Sequence, residues 1–157
     1  MGNPGNSGGG SICRDDRGGF LFAFASAYGV GSNVNAELKA IYDGMEKCLA
    51  SGLLRVVVES DSQLVVNFLS GSLSPGWKWG YWIARINRLK CRGQFLFRHI
   101  FREGKGAVDA MARLGSRDQT TMMMSSRADL PARVRGLLFL DMVGLSSLKE
   151  SARVVRG

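Results

Sequence analysis

Cysteine is scarce. The 157 residues hold three, Cys13, Cys48 and Cys91, an odd number at wide spacing. A disulfide framework needs pairs and a zinc site needs clustered ligands, so both are excluded and a reducing compartment is expected, with nucleus and cytoplasm equally open. Long apolar runs are also missing. No stretch approaches the roughly 18 apolar residues of a membrane span, and Met1-Gly2-Asn3-Pro4-Gly5 carries no apolar signal region, so no membrane partner is expected. N-myristoylation of Gly2 would want Ser or Thr at position 6, where Asn6 stands. Acidic residues are the minority: 13 Asp and Glu against 21 Lys and Arg leave a formal net charge of +8, which suits a polyanionic partner. With 45% hydrophobic residues, the chain has enough apolar surface for one core, and its length suits one domain with an appendage.

Glycine, in contrast, is plentiful at 21 residues. It concentrates in residues 2–10, GNPGNSGGG, which show neither helical nor strand period and read as a loop. That loop lacks the Gly-Lys-Ser/Thr ending of a P-loop. In SICRDDRGGFLFAFASAYG an apolar-aromatic run follows a turn, which predicts two short antiparallel strands joined at Asp15–Gly19. From Asn33 to Ser51, Ala36, Ala40, Ile41, Met45, Cys48 and Leu49 recur at helical steps, and Gly52 ends the helix. LRVVVESD has the unbroken β-branched run of a strand buried on both faces, followed by a helix QLVVNFLSG capped from Ser60-Asp61-Ser62.

After Pro75-Gly76 the pattern predicts a basic helix WKWGYWIARINRLK, a strand QFLFRHIFRE and a helix GAVDAMARLG. Residues 116–130 read as a polar linker and 131–157 as a C-terminal helical tail. No internal repeat is present.

Three carboxylates stand next to apolar runs. Glu37 falls in the first turn of its helix, Asp61 at the end of a strand and Asp109 early in the last core helix. In an α/β sheet these places can converge at one edge. Clustered carboxylates in a basic protein suit two-metal phosphodiester hydrolysis, because Mg²⁺ takes hard oxygen ligands. Each residue also has a plainer reading: Asp61 as a helix cap, and Glu37 and its like as favourable charges at a helix N-terminus. Trp77, Trp79 and Trp82, interleaved with Lys78, Arg85, Arg88 and Lys90, suit either a duplex-binding face or a packed one.

Four strings in order, GNPGNSGGGSICRDDRG, SNVNAELKAIYDGMEKC, VVVESDSQLVV and HIFREGKGAVDAMARLG, resemble the ribonuclease H type 1 domain, in the plant reverse-transcriptase-like variety of non-LTR retroelements. The resemblance covers about residues 2–115 and sets the domain at 1–115. It implies an α/β fold, a ribonuclease H-like mixed sheet flanked by helices. The implied activity is Mg²⁺-dependent endonucleolytic cleavage of the RNA strand of an RNA–DNA hybrid. By the same resemblance Glu37, Asp61 and Asp109 are catalytic and hold two Mg²⁺ ions. Asn33 reads the hybrid's minor groove, where the 2′-hydroxyl marks RNA; Val34 stands where a second asparagine is common. Asn3 and Gly5 of the glycine-rich start approach the nucleic acid; Lys105 departs from the family's usual asparagine and reads either as a phosphate contact or as a solvated lysine. His99 sits in a strand and is read as structural.

The family's first strand, with its metal-bridging aspartate, precedes the GNPG loop and is missing from this chain. Its loss is expected to weaken the metal pair and to leave the hairpin and the Leu54–Glu59 strand with unpaired facing edges. Three outcomes follow: a weak or inactive hybrid ribonuclease, a catalytically dead nucleic-acid-binding module, or a retroelement-derived fragment without function. The last would melt broadly and without cooperativity.

Overall fold

The computed structural model describes residues 5–101, 106–118, 121–137 and 153–156. Along the chain run β1 (Gly5–Arg14), β2 (Phe20–Gly31), α1 (Asn33–Ala50), β3 (Arg55–Ser60), α2 (Gln63–Ser70), α3 (Gly76–Lys90), β4 (Gln94–His99), α4 (Gly106–Asp118), β5 (Met122–Met124) and β6 (Arg153–Arg156). The strands form one sheet in the order β4-β3-β6-β1-β2-β5. β4 and β6 run parallel to β3, whereas the β6–β1, β1–β2 and β2–β5 pairs are antiparallel.

β1 overturns the expectation of a glycine loop. Its residues pair with β2 from Gly5 opposite Gly31 to Arg14 opposite Phe20. Glycine is a poor strand former when side-chain packing decides, so period and propensity gave no strand signal here. What the glycines provide is closeness. A Cβ on Gly8 would lie 2.4 Å from the Ala112 carbonyl oxygen and one on Gly10 2.8 Å from the Met111 Cβ, both on α4. A Cβ on Gly9, pointing the other way, would meet the Tyr28 ring at 2.2 Å and the Ala40 Cβ of α1 at 3.0 Å. Alternate glycines thus let helices approach both faces of one strand.

The expected turn is in place. Asp15 N–H donates to the Gly19 carbonyl at 2.8 Å, and the Asp15 carboxylate accepts from the Arg17 and Gly19 amides at 3.0 and 2.6 Å. Two apolar clusters flank the sheet. One joins Cys13 and Phe22 to Leu38, Ile41 and Met45 of α1, with Val65 and Phe68 of α2 and Ile83 and Ile86 of α3. The other joins Ile12, Ala23 and Ala25 to Val108 and Met111 of α4 and to Leu130 and Val134. Ile12 and Cys13 serve opposite clusters, as successive strand residues must. Buried Glu59 is paired with Arg98 on the neighbouring β4.

Three expectations need correction. The stretch 116–130 is not a bare linker. α4 continues to Asp118, Met122–Met124 pair with Ala23–Ala25 at the edge of the sheet, and Ser126 and Asp129 form a reciprocal capping box around a short 3-10 turn. Methionine carries little strand propensity, so β5 is specified by its edge pairing and by burial of Met124. Residues 131–157 are not all helical: 132–137 are helical, whereas 153–156 form β6. Nor are the facing edges of β1 and β3 unpaired along their whole length. β6 lies between them, with Ile12–Arg14 on one side and Val56–Glu59 on the other, satisfying backbone groups that would otherwise lack partners.

Candidate active site

α1 begins at Asn33 because Ser32 caps it, its hydroxyl accepting from the Asn35 amide at 3.3 Å. The first turn therefore holds no acidic residue. Glu37 falls one position beyond it, a correction to the first-turn reading, and its Oε1 accepts from the Ser60 hydroxyl at 2.6 Å. This bond ties α1 to the carboxyl end of β3, where Asp61 follows. The cap of α2 is Ser62, whose hydroxyl accepts from the Val65 amide at 3.3 Å, so helix capping does not account for Asp61. The Asp61 carbonyl lies 3.2 Å from Nε2 of His99 at the end of β4. Asp109 sits in the first turn of α4, where a negative charge is favoured.

Glu37, Asp61, Asp109 and Asn33 all line one cavity of about 570 Å³, with Ser7–Gly10 of β1 along its wall. Its lining draws on α1 on one face of the sheet and on Val108, Ala112 and Arg113 of α4 on the other. The described β1–β6 ladder covers Ile12–Arg14 only, which leaves the glycine segment of β1 to the cavity. Gly5 lies at the start of β1 opposite Gly31. Asn3 and Lys105 lie outside the described residues. Arg113 escaped the sequence reading, although its spacing of four from Asp109 was a signal that it shares that helix face.

The carboxylate oxygens are the donor type that Mg²⁺ takes. Among the described residues no group of three or more His, Cys, Asp or Glu side chains is placed to hold an ion.

On the opposite side of α1, aromatic and basic residues pack on one another. Trp82 meets Tyr42 with ring centroids 5.8 Å apart and Trp79 meets Phe68 at 5.3 Å. The Arg85 guanidinium lies 4.4 Å from the Tyr42 ring centroid and donates to the Tyr42 and Tyr81 hydroxyls, both at 2.9 Å. Those hydrogen bonds raise its pKa. Of the three tryptophans only Trp77 stands fully out, at 94% exposure, so most of this surface is a packed face. Nearby, Tyr28 donates to Asp43 at 2.7 Å. Burial pushes both pKa values up, for Tyr28 with the added repulsion of the Asp43 charge.

A mixed sheet with helices on both faces, carrying carboxylates from α1, from the end of β3 and from α4 to one cavity, defines a ribonuclease H-like domain. The archaeal RNase H1 of Halobacterium salinarum superposes with a TM-score of 0.71 at 24% identity, over 75% of this chain and 91% of that one. LC11-RNase H1, solved in complex with an RNA/DNA hybrid, gives 0.71 at 25% identity over the same shares. Residues 2–115 match the model of the reverse transcriptase-like family, and the chain belongs to that family. A putative ribonuclease H protein of Arabidopsis thaliana is 29% identical over 113 residues, 71% of this chain and 18% of that protein. The chain thus spans less than a fifth of the length of this curated relative. No helix among the described residues is long and apolar enough to cross a membrane.

Proposed function

We propose that this chain is a nucleic-acid-binding module of ribonuclease H descent, which takes an RNA–DNA hybrid at the Glu37–Asp61–Asp109 cavity and cleaves it weakly or not at all. One observation carries the reading: Asn33 and the three carboxylates line a single cavity. A +8 chain supplies attraction for phosphate, and the complex of LC11-RNase H1 with a hybrid supports the choice of ligand. Mg²⁺, where bound at such carboxylates, would activate water and steady the leaving oxygen. Binding is the function assigned, and no catalytic step is derived.

The test is anisotropy of a labelled RNA–DNA hybrid with the full chain, alongside duplex DNA and heparin, with Mg²⁺ or with EDTA. Hybrid binding that survives EDTA and exceeds binding to duplex DNA is expected. Equal affinity for heparin and hybrid would overturn the hybrid assignment. Vigorous Mg²⁺-dependent cleavage, lost in Asp61→Asn, would replace the binding module with an active nuclease.

A further inference from the structure

α4 borders a second groove, of about 460 Å³, between itself and residues 131–137. Arg113 and Arg117 of α4 line it together with Arg133 of the following segment, over an apolar floor that includes Ala110, Leu114 and Val134. Asp109, Arg113 and Arg117 recur every four residues and therefore form one stripe on α4. Asp109 and Arg113 also line the carboxylate cavity, so the two depressions meet at these side chains.

The segment that brings Arg133 is firmly seated. Leu130 and Val134 are 2% and 3% exposed and belong to the cluster with Ala107, Val108 and Met111. The Arg135 amide donates to the Pro131 carbonyl at 3.0 Å, closing a helical turn. Arg133 is thus held on a backbone whose inner side is packed against α4. Arg117 shares its charge with Asp118 at 2.7 Å. Among the described residues, neither Arg113 nor Arg133 has an acidic partner, and Asp109 is the only acid in the groove lining. Paired forks of N–H donors over an apolar floor match a phosphate group, which guanidinium binds in two-point fashion.

We infer that this groove is a phosphate-binding extension of the cavity, in which Arg113 and Arg133 hold the backbone of a nucleic-acid strand leaving the carboxylates. The inference rests on the nucleic-acid reading of the cavity. It adds a site built in part by residues beyond the 2–115 span of the family match.

The experiment measures hybrid affinity against salt for the full chain and for Arg133→Gln, Arg113→Gln and the double variant. Arg55→Gln, at the opposite end of β3 from Asp61, is the charge-matched control. Each groove substitution is expected to lower the slope of log affinity against log salt by about 1, whereas Arg55→Gln leaves it unchanged. Arg133→Lys should retain the salt slope but bind less tightly, because the amine lacks the fork. A slope unchanged by Arg133→Gln, or changed equally by Arg55→Gln, would overturn the groove while leaving the cavity reading intact.

If the unaltered chain binds no hybrid, the cavity reading falls first. Titration calorimetry with pyrophosphate then decides the groove alone: heat that disappears in the double variant supports a phosphate site, and absence of heat overturns it.

Discussion

Gly115 of α4 shows how tightly single residues set the distance between helix and sheet. A Cβ there would lie 2.6 Å from the Ser26 carbonyl oxygen and 2.7 Å from its nitrogen, backbone atoms of β2 that have no flexible end to move. Gly115→Ala should therefore cost about 1–3 kcal/mol by forcing α4 off the sheet. Gly80, inside α3, has no atom within 4 Å of a built Cβ. Gly80→Ala should stabilise by roughly 0.5–1 kcal/mol through helix propensity alone. Urea denaturation of the two variants checks the pair of opposite signs, and destabilisation by both would show that the α4 contact is not special. At this scale the sequence was legible where a residue type implies a chemistry, as with Glu37, Asp61 and Asp109. It was not legible where glycine acts by having no side chain: Gly8, Gly9 and Gly10 look the same in a loop and under two helices.

Among the elements, those read correctly have a strong period or a definite stop. α1 carries an apolar stripe and an N-cap, β3 is an unbroken β-branched run, and the β1–β2 turn is marked by Asp15 and by Gly18 at φ 81°. β5 and β6 were missed because three or four residues are too few to show a period, and because tertiary pairing specifies them. β6 is the more consequential. It fills the slot between β1 and β3, parallel to one and antiparallel to the other. A central strand has both edges hydrogen-bonded, so Val154→Pro removes an N–H that no water can replace. The expected cost is about 1–3 kcal/mol. Faster amide hydrogen exchange should appear at Val57, Glu59 and Arg14, which flank β6 in register and whose strand alternation turns their amides toward it. Exchange at these amides unchanged by the substitution would show that β6 does not hold the slot in solution.

For the whole molecule, the question is how much of the +8 charge acts on a bound nucleic acid. If all of it did, counterion release would make affinity collapse with a salt slope near −7. The fold argues for a much smaller number. Lys39 and Arg85 are drawn over Tyr28, Tyr42 and Trp82 on the α1–α3 side. Arg98 is consumed by Glu59, and Arg55 sits at the far end of β3. With a screening length of about 10 Å at 0.1 M salt, charges that distant from the cavity contribute little. Among the described residues, those beside it are Arg113, Arg133 and, partly neutralised by Asp118, Arg117. About three phosphates neutralised gives a slope near −2.7, or a loss of about 40-fold in hybrid affinity between about 50 and 200 mM salt. A measured slope steeper than about −6 would mean that the aromatic-basic surface of α3 also contacts the duplex, and a slope near zero would remove phosphate contact from the interface altogether.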